Sequence, residues 1–197
     1  MAINCEDKLN AALAKDCDNK PQSGLEVNAC LINFEDIDKT TSTLDGTNNL
    51  IITNLSTYSG TQGYFLEGVK QTNAISFELV KKEDSFDMYK HTFSGVILAP
   101  SAANKELLRQ VASGGRYVVV VEKKFKGADL ADAFEVLGWD SGLVISNLVW
   151  NSKESDGVIK FELASEDGYE EPEMTRNVLE TDYATTKTAF TGKFATV

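Results

Sequence analysis

The sequence predicts a mainly β fold, a β-sandwich or barrel of antiparallel strands, with one packed α-helix and a short N-terminal helix. Three observations support this prediction: apolar and polar residues alternate along several short segments, turn-forming residues separate those segments, and residues 116–124 are rich in valine. A chain of 197 residues has room for one domain, which buries roughly 70% of the surface that its unfolded form exposes. We expect an N-terminal arm with its helix at residues 1–24, a β-sandwich domain at 25–171 and a C-terminal arm at 172–197.

Two segments have a helical pattern. In residues 7–17 apolar side chains recur every four positions, which is typical of a short amphipathic helix. Residues 102–113 carry an apolar face, and Ser101 before them is a suitable N-cap. Gly114 follows this segment and is expected to end the helix. We expect this second helix to pack on a sheet.

Strands are predicted over most of the remaining chain. They are expected at residues 25–34, 50–55, 63–69, 75–79, 89–97, 116–124, 133–137, 143–150 and 158–164. Residues 116–124 show almost no alternation, which is expected of a central strand buried on both faces. The polar residues 35–49 predict a long loop or a protruding hairpin tip.

The chain is acidic, with 30 acidic residues against 19 basic ones and a net charge of −11. Phosphate backbones are bound through lysine and arginine, so specific nucleic-acid recognition is not expected. The first residues show no basic run followed by an apolar core, and the longest apolar run, at residues 117–121, is too short to span a bilayer. We therefore expect neither export by a signal peptide nor a membrane anchor.

Motifs for catalysis or metal binding are weak. The single histidine, His91, lies within a strand segment, and a general base there would need an orienting carboxylate and a nucleophile, so a hydrogen-bonded structural histidine is favoured. Residues 35–38 resemble the start of a calcium loop but lack its later ligands and its glycine, which indicates a solvated loop. Cys5, Cys17 and Cys30 have neither the paired spacing nor the neighbouring histidine of a zinc site. They are expected to be free thiols in a reducing cytoplasm.

Two groups of acidic residues have the composition of an acid–base pair. One group is Asp129 with Asp132, and the other is a cluster at residues 166–171. The cluster consists of Glu166, Asp167, Glu170 and Glu171. Acidic clusters at turns are usually only solvated, so an enzyme is the weaker class. We predict no catalytic, cofactor-binding or metal-binding residue.

Three segments in the C-terminal part of the chain resemble phage virion proteins. They are residues 134–145 with the hairpin that follows them, residues 168–172 (Gly-Tyr-Glu-Glu-Pro) and residues 180–186. These segments are similar to tail-tube-type proteins of phages that infect Bacteroidetes. The resemblance implies a β-sandwich or barrel flanked by one helix. It also implies hexameric rings that stack into a tube, with an extended loop and terminal arms that clasp neighbours.

The resemblance further implies partners and a location. The partners are other copies of the chain, other tail proteins (sheath, tape measure or terminator), and DNA that passes without specific binding; no membrane is involved. The location is the virion, assembled in the host cytoplasm. The loop at residues 35–49 is expected to carry subunit contacts. The arms, at residues 1–20 and 172–197, are expected to be ordered only by neighbours, because their apolar residues are sparse.

Two alternative functions stay open. An N-terminal helix is not expected of a minimal tube subunit, so a head–tail joining or decoration protein of the virion is one alternative. A small cytoplasmic β-rich domain that binds or transforms a ligand near His91 or residues 166–171 is the alternative from a different class.

If the chain lines a channel for DNA, the charge of the channel wall can be predicted. Carboxylates repel DNA phosphates, so an acidic wall would let DNA slide without sticking. The expected wall is either the sheet face that bears Glu78, Lys160 and Glu162 or the acidic loops. A neutral or basic wall would instead favour the joining or decoration role.

Overall fold

A computed structural model of the chain describes residues 11–13, 16–68, 72–154 and 156–193. The strands are β1 (Leu25–Asn33), β2 (Thr43–Leu44), β3 (Ile51–Asn54), β4 (Tyr64–Glu67), β5 (Ala74–Val80), β6 (Met88–Ile97), β7 (Tyr117–Lys123), β8 (Phe134–Leu137), β9 (Leu143–Trp150), β10 (Ile159–Ser165) and β11 (Arg176–Val178). The helices are α1 (Ala102–Val111) and α2 (Tyr183–Gly192), and short 3-10 turns lie at Phe34–Asp36 and Ala128–Leu130. The predicted mainly β fold is confirmed.

The strands form two sheet regions that are joined at one point. The large sheet has the order β4-β1-β7-β8-β11-β3-β2, and the small sheet has the order β9-β10-β6-β5. β7 and β9 pair only through Tyr117 and Leu143, which is where the two sheets meet. Most pairs are antiparallel as predicted, but β11 runs parallel to β3, so the sheet is mixed.

The main apolar core lies between the two sheets. The large sheet contributes Ala29, Leu31, Val119 and Val121, and the small sheet contributes Phe93, Phe161 and Leu163, all of them buried. Helix α1 adds Leu108 to this core, and the Ser101 hydroxyl caps its N-terminus by accepting the Asn104 N–H. The predicted helix at residues 102–113 is therefore confirmed, ending two residues earlier.

A second core covers the opposite face of the large sheet. It contains the alternate residues of β1 and β7, such as Ile32, Val118 and Val120, together with Phe134 and the helix residue Phe190. Strand β7 thus has buried side chains on both faces, as its lack of alternation predicts. The molecule has three layers: the small sheet, the large sheet and α2.

The C-terminal segment differs from the predicted arm. Residues Arg176–Val178 form β11 between β3 and β8, and α2 buries Phe190 against Phe134, with ring centroids 5.2 Å apart. The apolar residues of this segment are sparse, as the sequence shows, but Val178 and Phe190 belong to the second core and Tyr183 packs against it. Their burial and the ladder hydrogen bonds hold the segment to the domain.

Two other predictions concern the N-terminal helix and residues 35–49. The predicted helix at residues 7–17 lies largely outside the described residues, and residues 11–13, 16 and 17 are not helical. Residues 35–49 were predicted as a long loop or a protruding hairpin tip, and the structure shows a short hairpin, in which β2 pairs with β3, with Ile37 buried before it. Within the described residues, neither helix is long and apolar enough to cross a membrane.

Candidate assembly surface

The small sheet has two open edges. Strand β5 pairs with β6 on one side, and among the described residues no strand pairs with its other side. Strand β9 pairs with β10, and past Leu143 the structure shows no strand against its second side. Each edge therefore presents unpaired backbone N–H and C=O groups, which are able to pair with a strand of another chain.

The two edge strands carry few of the features that normally prevent such pairing. The seven residues of β5 include one charged residue, Glu78, and the eight residues of β9 include none. Proline is absent from both strands. Proteins usually protect long exposed edges with lysine, proline or a bulge that turns the edge away. The one bulge here lies between β9 and β10, near Leu163, and leaves the outer half of β9 extended.

Large apolar side chains lie along the same two edges. On β5, Phe77 and Leu79 are 46% and 49% exposed. On β9, Leu148, Val149 and Trp150 are 44%, 43% and 51% exposed. The strand register places Phe77, Leu79, Leu148 and Trp150 on the inner face of the small sheet, the face that bears Phe93 and Phe161. The small sheet thus extends beyond the core, and its margins leave core-type residues uncovered.

The two edge strands run in opposite directions. Strand β10 is antiparallel to both β9 and β6, and β5 is antiparallel to β6. Three antiparallel steps separate β9 from β5, so these strands are antiparallel to each other. A second copy, rotated about an axis roughly along the strands, would bring its β9 beside β5 in the antiparallel arrangement that strands favour.

The outer face of the small sheet is polar and balanced in charge. The register places Glu78, Lys90, Lys160 and Glu162 together on this face, with Glu78 directly opposite Lys90. The face that the sequence analysis singled out therefore exists, but its two carboxylates are matched by two ammonium groups. It is not the acidic wall that was expected there.

The acidic residues lie at one end of the small sheet. The turn at residues 81–87 meets the loop at residues 166–173 there, since Lys82 forms an ion pair with Glu170 at 2.7 Å. In that loop, Arg116 pairs with Glu166 at 2.8 Å, and Lys90 lies 3.6 Å from Asp167. The predicted cluster is thus dispersed, because each of these carboxylates faces a different cation.

Glu171 is fully buried, and the neighbouring Glu170, which is also buried, is the carboxylate paired with Lys82. The Glu171 carboxylate accepts the backbone N–H groups of Asp140 at 2.7 Å and Ser141 at 2.9 Å. Burial raises its pKa, and these two hydrogen bonds oppose that rise. Its role is therefore to fasten the turn between β8 and β9, where Gly138, at φ +72°, has no room for a side chain.

Lys39 also holds the turn between β8 and β9 in place. Lys39 donates a hydrogen bond to the Trp139 carbonyl, and its ammonium lies 3.4 Å from the centroid of the Trp139 ring. Burial lowers the pKa of Lys39 to about 8. Nearby, Arg176 forms an ion pair with Asp140 and donates to the Asn49 carbonyl at 3.0 Å. No local sequence pattern marks this group, since its members are distant in the chain and belong to no short motif.

His91 is a buried strand residue with both ring nitrogens hydrogen-bonded. Its Nδ1 accepts the Gly138 N–H at 3.3 Å, and its Nε2 donates to the Glu173 carbonyl at 3.1 Å. Burial lowers its pKa to about 4, which keeps the ring neutral at physiological pH. This arrangement agrees with the hydrogen-bonded structural histidine that the sequence favoured.

The remaining predicted residues lie apart from one another. Asp38 accepts the N–H and hydroxyl groups of Thr40, which makes it the centre of a tight turn. Asp132 accepts the Asn177 amide at 2.7 Å, and Asp129 lies in the 3-10 turn without forming an acid pair with it. Cys17 and Cys30 are both free thiols, the first exposed and the second buried. In the described part of the chain no cluster of histidine, cysteine and carboxylate groups could hold a metal ion.

Comparison with known proteins places the chain in no family. No protein-family model matches it, and no curated protein sequence matches it.

Proposed function

We propose that the chain is a self-assembling structural subunit of a phage virion, of the tail-tube type, and that copies join through the two open edges of the small sheet. One observation carries the proposal: β5 and β9 are long, antiparallel to each other, nearly uncharged and lined with exposed apolar residues. Exposed edges of this kind lead either to a specific partner or to aggregation. The resemblance of residues 134–145 to tail-tube-type proteins supports the first outcome.

The two edges make a head-to-tail contact. Because β5 of one copy would meet β9 of the next, the contact joins two different surfaces, and repeated rotation closes a ring. The small sheets would then form one continuous antiparallel barrel, and the large sheets with α2 would lie on one side of it. Closing the barrel removes every open edge of the small sheet and covers the apolar margins.

The charge of the small sheet favours a second candidate role within the same class. If its outer face lined the channel, Glu78 and Glu162 would be balanced by Lys90 and Lys160, and the wall would be neutral. A neutral wall does not repel DNA, so this observation favours a head–tail joining or decoration protein over a DNA conduit. The acidic end at residues 81–87 and 166–173 would form a rim of the ring instead.

A substitution on each edge tests the proposal. Leu79→Lys on β5 and Val149→Lys on β9 replace exposed apolar residues with a charge that opposes strand pairing. We expect each variant to stay a folded monomer under conditions in which the wild type sediments as a large assembly. Leu130→Lys is the matched control, because Leu130 is 43% exposed and lies in the 3-10 turn between β7 and β8. Equal assembly of all four proteins in sedimentation velocity would refute pairing through these edges.

The binding-domain alternative has one observation in its favour, which lies away from His91 and residues 166–171, the places that the sequence suggested. A groove of about 350 Å³ lies between α1 and β4, lined by apolar residues such as Leu66, Leu107 and Val111. Asn33 and Gln110 also line it. A monomeric chain whose melting temperature rises with a small apolar ligand would support this reading, and Leu107→Asp would then abolish the rise.

A further inference from the structure

Three side chains on the inner face of the large sheet form a compact group outside the assembly surface. Glu135 of β8 lies directly opposite Val121 of β7 and directly opposite Asn177 of β11. Lys123, two residues after Val121, points to the same face because strand side chains alternate. Three neighbouring strands therefore bring Lys123, Glu135 and Asn177 together.

The contacts within this group are short and shielded from water. The Lys123 ammonium lies 2.8 Å from Glu135 Oε2 and donates to Asn177 Oδ1 at 3.1 Å. The side chains of Lys123 and Glu135 are 19% and 12% exposed. On the far side, Asn177 Nδ2 donates to Asp132 Oδ1 at 2.7 Å. This hydrogen bond orients the amide so that its carbonyl oxygen faces the lysine.

We propose that Lys123 and Asn177 react to form an intramolecular isopeptide bond, with Glu135 as the catalytic carboxyl group. The amine contacts both the acid, at 2.8 Å, and the amide oxygen, at 3.1 Å, on three neighbouring strands. Such positioning turns a slow bimolecular reaction into a fast local one. The inference does not depend on the proposed assembly, since all three residues belong to one chain.

The reaction balances without any further reagent. A proton moves from Lys123 to Glu135 across their 2.8 Å contact, which leaves a neutral amine and a neutral carboxyl group. The protonated Glu135 polarises the Asn177 carbonyl while the amine lone pair of Lys123 attacks Cγ. The bond between Cγ and Nδ2 then breaks, the proton passes to the leaving nitrogen, and ammonia departs. Asp132, which holds Nδ2, is placed to accept a hydrogen bond from the departing ammonia.

The product would link two strands covalently. The new amide joins β7, the central strand, to β11 across β8. It would fix the C-terminal segment, with α2, to the middle of the large sheet. Heat or force would then be unable to remove that segment while the bond is intact.

The mass of the purified full-length chain, measured after denaturation, tests the proposal. We expect the wild type to be lighter than its sequence mass by one ammonia, and digestion to release a branched peptide that joins Lys123 to Asn177. Lys123→Arg and Glu135→Gln should both have the full sequence mass. Lys124→Arg is the matched control and should keep the loss, because Lys124 is adjacent in sequence and is not part of the group.

Each contrary outcome overturns a stated step. A wild-type chain with its full sequence mass after prolonged incubation would refute the bond, and this result holds even if a variant fails to fold. An ammonia loss that persists in Lys123→Arg would mean that Asn177 has cyclised onto its own backbone instead. A loss that persists in Glu135→Gln would remove Glu135 from the catalytic role.

Discussion

At the scale of single residues, His91 connects the sheet to the turn that begins β9. Its neutral ring accepts the Gly138 N–H at Nδ1 and donates from Nε2 to the Glu173 carbonyl. The bond to the β8–β9 turn needs the uncharged form, whereas a protonated ring still donates from Nε2. Protonation of Nδ1 would place a second donor against the Gly138 N–H. The lowered pKa, about 4, expresses the free-energy cost of that protonation inside the fold.

The His91 pKa predicts how stability changes with pH. In the unfolded chain the imidazole pKa is near 6.5, so between pH 6.5 and about 4 the unfolded state binds more protons than the folded state. The free energy of unfolding should therefore fall as the pH drops through this window, by roughly 3 kcal/mol in total.

Urea unfolding at several pH values measures this effect. Because the chain has one histidine, the difference in shape between the pH profiles of the wild type and His91→Gln isolates this titration. The variant should be less stable at pH 7 and should show a flatter dependence between pH 7 and 5. Parallel pH profiles for the two proteins would contradict the assignment.

The sequence indicated the structural role of His91 but not its partners. Its place in an alternating strand segment predicted burial, and a buried ring needs hydrogen bonds. The partners, Gly138 and Glu173, are distant in the chain and use backbone groups, which every residue has. The same holds for Glu171, whose carboxylate accepts two backbone N–H groups. Nothing in the local sequence separates it from Glu166, Asp167 and Glu170.

At the scale of elements, the alternation of apolar residues and the helix-capping residue were sufficient to predict α1 and the long strands. The β5–β6 hairpin and the doubly buried β7 follow directly from the pattern of apolar residues. The segment after residue 172 was assigned wrongly as an arm, because its few apolar residues reveal their burial only when β8 and β3 are placed beside them. An Asp182 N-cap does mark the start of α2, as its carboxylate accepts the Thr185 N–H at 2.7 Å.

The packing of α2 predicts a large effect of one truncation. Phe190 is 4% exposed and lies against Phe134, so Phe190→Ala should lower the free energy of unfolding by about 3–5 kcal/mol. Thr188→Ala, on the exposed side of the same helix, should change it by less than about 0.5 kcal/mol. Chemical denaturation of both variants would measure the difference. Similar, small effects would restore the interpretation of this segment as a loosely held arm.

At the scale of the whole molecule, the two sheets differ in how completely they are covered. The large sheet is covered on both faces, by the small sheet and by α2, whereas the small sheet ends in two open edges with exposed Phe77 and Trp150. The sequence predicted the strands but not which of them lie at an edge, since edge position depends on the order of strands. The absence of charge from residues 143–150 is the one local signal that could have indicated it.

Electron microscopy of the purified full-length protein tests the central claim most directly. We predict closed rings or stacked tubes built from one kind of subunit, with the small sheets forming the inner barrel. Leu79→Lys should yield only single particles of monomer size under the same conditions. A wild-type protein that stays monomeric at every concentration examined, with β5 and β9 both open, would contradict the account.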